Sequence, residues 1–373
     1  MRVALIHDHL AQAGGAEKVL EVLCELFPNA PIYTLLYDPK NVDRHFKGRH
    51  IESSIIQRLP GGIRHYQWYM PIMPMAVEFF DLSDYDIVFS NASAFAKGVI
   101  TGTNTLHICY CHTPTRYLWD YTHQYINELP YNKYFKKIIS LVLNYVRLWD
   151  RQAADRVDYY IANSKIVQKR IDKYYHRPSE LIYPPVETSR FEVSAEPGSY
   201  YLIGGRLVAY KRVDLVIEAF VKLGLPLKVF GDGIDLERLK LLAADSGHIE
   251  FLGRVSDEEK IKLYRDCIAF INPQEEDFGI TAVEAMAAGR PVIAYRRGGA
   301  IETIIENQTG LFFSEQTVEA LESVIRTFKP EQFDAATIKK HADQFSVENF
   351  KKSILNIVSR EKERFSNNHE YSD

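Results

Sequence analysis

Short unbroken apolar runs alternate along this chain with stretches in which apolar residues recur every three or four positions. In the first half the runs fall at 3–6, 32–36, 86–90, 107–111 and 159–162. After the first of them comes the loop Gln12-Ala13-Gly14-Gly15, and then Val19, Leu20, Val22, Leu23 and Leu26 at helical spacing. The second half repeats the scheme more cleanly. Strands are predicted at 201–205, 227–230, 249–252, 268–271 and 291–294, with helices at 213–223, 235–244, 257–265 and 281–288 between them. Strands that alternate with helices over short connections predict parallel sheets covered on both faces. The fold class is therefore α/β, with two doubly wound, Rossmann-like halves.

Between the halves, Tyr183-Pro184-Pro185 and Pro197-Gly198 bracket a polar stretch that reads as a linker. The expected domains are residues 1–190 and 198–347, with a C-terminal helix near 348–364 free to pack back on the first. A chain of 373 residues suits two domains at about 150 residues each. Residues 361–373 are polar and expected to fray. No short-period repeat is present.

Composition narrows the function. Hydrophobic residues at 46% and charged residues at 25% describe a folded globular chain. A net charge of −4 argues against a general nucleic-acid binder, which needs a basic stripe. Four cysteines are too few for a disulfide scaffold, so a reducing cytoplasm is expected. No apolar run reaches the ~18 residues of a membrane-spanning helix, and the apolar start meets His7-Asp8-His9 too soon for a signal peptide. The aromatics are uneven: 17 of 23 Tyr and all three Trp (68, 119 and 149) lie in residues 1–190.

In doubly wound domains ligands bind beyond the carboxyl ends of the strands. Gly204-Gly205-Arg206 follows a predicted strand, and Lys211 lies five residues on. A guanidinium fork and an ammonium there suit a diphosphate; the plainer reading is a loop with solvated charges. Glu276, Phe278, Gly279, Ile280, Thr281 and Glu284 follow the strand at 268–271 and open a helix, whose first amides form an anion site. Glu276 and Glu284 can accept hydrogen bonds from two different sugars, or they belong to a capped helix with a solvated face. His107, Cys109 and Cys111 share a strand face but lack zinc-site spacing, so no metal is expected. Asp84-Tyr85-Asp86 reads as chance. Gly231-x-Gly233 fails the dinucleotide fingerprint, because position 236 is Leu.

Together, Gly-Gly-Arg-Leu with Lys211, Glu276-x7-Glu284, residues 289–294 and Gly298-Gly299 resemble the retaining nucleotide-sugar glycosyltransferases of family 4. Gly14-Gly15-Ala16-Glu17 matches that family's N-terminal loop. The stretch from Cys111 and His112 through Arg116 to Trp119 and Asp120 resembles the O-antigen mannosyltransferase branch. The resemblance implies a GT-B fold with an interdomain cleft. It implies that Glu276 holds donor-sugar hydroxyls, Glu284 the ribose, and Arg206 and Lys211 the leaving diphosphate. Gly14, Gly15 and the amides near Phe278, Gly279, Ile280 and Thr281 would add donors. His112 would lie beside the donor sugar. Gly253, Arg254 and Val255 would flank the base, and Arg116, Trp119 and Asp120 the acceptor.

The activity so implied is a metal-independent, cofactor-free, retaining transfer of a sugar, by resemblance mannose from GDP-mannose, to a lipid-linked oligosaccharide or polysaccharide. A UDP-sugar donor, a GT-B nucleotide-sugar epimerase and a non-catalytic glycan-binding protein are the rival readings. Residues 131–170 carry nine Lys and Arg against three Asp, a local +6, interleaved with Ile138, Ile139, Leu141, Val142 and Val146. That pattern suits peripheral contact with an anionic membrane at the inner face of the cell, or a core helix with a solvated basic face.

Overall fold

A computed structural model of the chain describes residues 1–11, 14–194, 196, 198–244 and 246–370. Gln12 and Ala13 of the glycine loop, Ala195 and Pro197 of the expected linker, and residues 371–373 of the polar tail lie outside the described residues. The chain divides into two compact units, Met1–Tyr183 with Phe350–Asp373, and Pro184–Asn349.

The first unit is built on β1 (Val3–His7), β2 (Ile32–Thr34), β3 (Ile51–Ser53), β4 (Ile87–Ala92), β5 (Leu106–Cys111), β6 (Tyr159–Ala162) and β7 (Ser179–Leu181). All pairs are parallel, in the order β3-β2-β1-β4-β5-β6-β7. Every residue of β1, β4 and β5 is buried, as expected of strands covered on both faces. The second unit holds β8 (Tyr200–Arg206), β9 (Leu227–Asp232), β10 (Ile249–Gly253), β11 (Cys267–Asn272), β12 (Val292–Tyr295) and β13 (Gly310–Phe313). Their order is β10-β9-β8-β11-β12-β13, again parallel throughout. In each sheet the strand order reverses once, between β1 and β4 and between β8 and β11. Such a switch point opens a crevice at the strands' carboxyl ends.

The sequence pattern misses β3, β7 and β13. Each is an edge strand of three or four residues and partly exposed; β3 and β7 each hold a Glu and a Ser and carry no apolar run, and β13 is only four residues long. Residues 184–191, which the prolines mark as linker, pack into the second unit: Val186, Thr188 and Phe191 are buried, and the Val186 amide donates to the Phe345 carbonyl at 2.9 Å.

The helix Lys133–Ala153 begins at Asn132, whose side chain accepts from the amides of Tyr134 and Phe135, both at 3.0 Å. The helix Val347–Glu370 carries the chain into the first unit. There Phe350 packs edge-on against Tyr110, Lys351 pairs with Glu25 at 2.6 Å, and Arg360 pairs with Glu180 at 2.7 Å.

Candidate active site

In the second unit the predicted residues collect at the strand ends. Arg206 ends β8, in register with Asp232 at the end of β9. Lys211 sits on the short turn that follows, and its ammonium donates to the Glu276 carboxylate beyond β11. This ion pair therefore bridges the two strands between which the order reverses. The Gly299 amide donates to the Glu276 carbonyl at 2.7 Å. Gly298, at φ +61°, lets the backbones approach, since a Cβ there would lie 2.2 Å from the same carbonyl oxygen. Burial and then the Arg206 cation push Lys211 down to about 8. Contact with the Glu276 carboxylate acts the other way and keeps the ammonium charged at neutral pH.

The helix Ile280–Ala287 starts at Gly279. Thr281, in its first turn, has a buried hydroxyl with no hydrogen-bond partner among the described residues. Glu284, one turn further, is buried and held by Lys260 Nζ at 2.8 Å and by the Tyr264 hydroxyl at 3.2 Å. Two carboxylates eight residues apart thus each have their own lysine, Lys211 or Lys260. An ionised carboxylate has about four acceptor positions, more than the one bond Glu276 receives from Lys211.

Arg254 follows β10 and reaches Asp232, the register partner of Arg206. Its Nε donates to Asp232 at 3.1 Å, and with Val255 and Leu252 it lines a cavity of about 390 Å³. Gly231, inside β9, shows why the glycines at 231 and 233 are no phosphate fingerprint. It adopts φ +116°, and a Cβ there would lie 1.8 Å from the Gly205 carbonyl oxygen, so it serves the close approach of β8 and β9.

The first unit presents a second cluster at its own switch point. His7 ends β1, and the register sets it beside Asn91 on β4. Gly14 caps the helix Gly15–Leu26, whose Glu17 turns back to His7. His112 follows β5 and bonds through Nε2 to Asn91 Oδ1 at 2.6 Å. Burial, then His7, push the His112 imidazole down to about 4, so it is neutral at physiological pH. Asp8 accepts four backbone amides, from Ser93, Ala94, Phe95 and Ala96, at 2.5–2.9 Å.

Arg116, Trp119 and Asp120 make contacts within this unit. The Arg116 guanidinium lies 5.2 Å from the Tyr121 ring centre, and Trp119 stacks on Tyr174 at 4.9 Å. Asp120 pairs with Arg170 at 2.5 Å and accepts from the Tyr174 hydroxyl. His107 is fully buried and shares a 2.8 Å hydrogen bond with Ser90 Oγ; burial pushes its ring down to about 3.

Sequence reasoning overlooked His7, Glu17, Asn91, Lys260 and Tyr264. Asn91 had a signal, being a polar residue where a buried strand ends. Lys260 and Tyr264 had none, because they reach Glu284 only once their helix packs.

Comparison with known proteins agrees with this architecture. Residues 13–190 match the family described as Glycosyltransferase Family 4, and residues 186–363 match Glycosyl transferases group 1. The chain is 23% identical to the alpha-1,3/1,6-mannosyltransferase ALG2 of Dictyostelium discoideum, over 96% of this chain and 98% of that protein. It is 30% identical to a GDP-mannose-dependent alpha-(1-6)-phosphatidylinositol monomannoside mannosyltransferase of Mycobacterium tuberculosis, over 47% of this chain and 53% of that one. The matched region spans just over half the length of several curated relatives, 58%, 53% and 57% of three of them. Among solved structures, Anabaena Alr3699/HepE in complex with UDP aligns with a TM-score of 0.71 at 17% identity, covering 96% of this chain and 100% of that one. With its two parallel-sheet units and these two matches, the chain belongs to the GT-B glycosyltransferases, pairing a family 4 domain with a group 1 domain.

Proposed function

We propose that the protein transfers mannose from GDP-mannose to a lipid-linked glycan, with retention of configuration and without a metal. The observation that carries this reading is the Lys211–Glu276 pair at the switch point of the second sheet, with Arg206 beside it. Breaking the sugar–phosphate bond leaves the electron pair on the diphosphate. Arg206, Lys211 and the first amides of the helix Ile280–Ala287 offset that charge, the task a metal has in other transferases. The acceptor hydroxyl adds to the face the diphosphate leaves, and its proton passes to a phosphate oxygen. Glu276 orients the sugar hydroxyls, and Glu284, braced by Lys260, takes the ribose. The mannosyl assignment rests on the two mannosyltransferase relatives, and the GDP assignment on the one named as GDP-mannose-dependent. The neighbour solved with UDP supports a UDP-sugar donor as the second reading.

The acceptor's lipid is taken to lie at an anionic membrane. On the helix Lys133–Ala153, Tyr134, Ile138, Leu141, Tyr145 and Leu148 are all exposed and spaced 4-3-4-3, one apolar stripe facing away from the core. Lys133 and Lys137 border it on the helix surface. Leu143, Val146 and Trp149 fill the buried face.

The test titrates GDP, UDP and ADP separately, then measures transfer from the best-bound nucleotide's mannose and glucose derivatives in excess chelator. GDP binding most tightly, with full mannosyl transfer, is expected. UDP preference moves the reading to the second donor, and loss of activity on chelation refutes the metal-free mechanism. Glu276→Ala is expected to cost transfer at least a hundredfold while nucleotide affinity changes less than threefold.

A further inference from the structure

The cluster of the first unit contains a chain of hydrogen bonds whose direction is fixed at its acceptor-only ends. Asn91 is fully buried, and its Nδ2 lies 2.8 Å from the Ala16 carbonyl oxygen. A carbonyl oxygen can only accept, so the amide nitrogen must be the atom on that side. The second hydrogen of the same nitrogen points to His7 Nδ1 at 3.1 Å. His7 Nδ1 is then an acceptor, and its proton lies on Nε2, which faces the Glu17 carboxylate at 3.5 Å. Glu17 is buried, and although burial raises its pKa, the hydrogen bond from His7 holds it below the ordinary carboxylate range. With the amide so oriented, Asn91 Oδ1 faces His112 Nε2 at 2.6 Å. An amide oxygen accepts, so His112 must carry its proton on Nε2. Among the described residues nothing bonds to His112 Nδ1.

We propose that Asn91, itself oriented by Ala16 and the His7–Glu17 pair, is a positioning residue that locks His112 with its proton on Nε2. His112 Nδ1 is thereby a hydrogen-bond acceptor only, and the group it takes is a hydroxyl of the sugar, not a diphosphate oxygen. A phosphate oxygen ionised at neutral pH has no proton to give, so it gains nothing from a lone pair. The choice of a hydroxyl partner rests on the glycosyltransferase reading above; the proton position does not.

The test uses the full chain labelled with 15N at histidine, with His112→Gln to assign the resonances. Long-range proton–nitrogen correlation at neutral pH is expected to show His112 with its proton on Nε2. Finding it on Nδ1, or an even mixture, overturns the lock whatever the enzyme's donor. Adding GDP alone is expected to leave the Nδ1 resonance in place, and GDP-mannose or UDP-glucose to shift it toward a hydrogen-bonded nitrogen. An equal shift with the bare nucleotide overturns the hydroxyl assignment. Asn91→Asp keeps the shape but puts a carboxylate beside His112, favouring the doubly protonated ring and losing the acceptor. It is expected to lower kcat about tenfold or more at neutral pH with nucleotide affinity unchanged. Recovery as pH rises above the new His112 pKa separates this from misfolding. Unchanged kcat with a protonated His112 refutes the proposal.

Discussion

Replacing Asp150 with alanine should destabilise the first unit by more than any surface change can. Asp150 lies on the helix Lys133–Ala153 and is 1% exposed. Its carboxylate receives Lys97 Nζ at 2.5 Å, Trp119 Nε1 at 2.8 Å, the Tyr175 hydroxyl at 3.0 Å and Thr115 Oγ1 at 3.3 Å. Lys97 is 2% exposed, and its other bond goes to the Ala94 carbonyl at 2.6 Å. Burial alone would lower the Lys97 pKa, but Asp150 outweighs it and the ammonium stays charged. Removing the carboxylate strands that charge, which costs about 3–5 kcal/mol. Three neutral donors also lose their acceptor, but these losses do not simply add. Lys97→Met with Asp150→Leu removes the charge along with its partner and should cost less than Asp150→Ala alone.

Trp68, Trp119 and Trp149 all lie in the first unit, so tryptophan fluorescence follows its unfolding without signal from the second. At about 2–4 °C per kcal/mol for a unit of this size, Asp150→Ala should lower its melting midpoint by about 6–20 °C. A loss below about 1 kcal/mol would refute the reasoning. So would a double variant as unstable as the sum of the two single changes, because the stranded charge would then not be the cause.

Two further outcomes follow from features already described. Reversing Lys136 and Lys137 to Glu should weaken binding to anionic vesicles by about 2 kcal/mol or more, at about 1 kcal/mol per basic residue. Ile138→Ser with Leu141→Ser should do the same on neutral vesicles, and co-sedimentation unchanged by either pair would remove the membrane role. His107 titrates near 3 when folded against an ordinary value near 6.5, so between those values the unfolded chain binds the extra proton. Its stabilising effect is complete above about pH 6.5 and falls by up to about 1.4 kcal/mol per unit below it. The stability of His107→Gln should therefore fall less steeply between pH 6 and 4, and parallel curves would contradict this.

The order of strands and helices was legible because both halves switch between unbroken apolar runs and helical spacing. The sheet order was not, since registers such as His7 with Asn91 join residues 84 apart. Lys211 and Glu276 could be singled out because each follows a strand near glycines. Their direct contact could not, since it depends on β8 and β11 being neighbours although β9 and β10 intervene in the chain. The basic stretch at 131–170 was visible as charge, but which apolar residues remain exposed is a property of packing: Val146 is buried while Leu148, two positions on, is not. Asp150 was counted only as a negative charge against that stretch, because a buried carboxylate and an exposed one look alike in a sequence.

The return of the chain at Phe350 sets the order in which the molecule can assemble. Residues 184–349 are continuous, so the second unit has all its parts before the ribosome has made more than the first turn of the final helix. The first unit has its seven strands early but waits for the segment that supplies Phe350 to Tyr110, Lys351 to Glu25 and Arg360 to Glu180. Its last contacts therefore join residues up to 326 positions apart in the chain, from Glu25 to Lys351. Until they form, Tyr110 at the heart of β5 lacks one of its ring partners. A nascent chain would thus hold a finished second unit and an open first one, and shortening the molecule from its C-terminal end would reopen the unit made first.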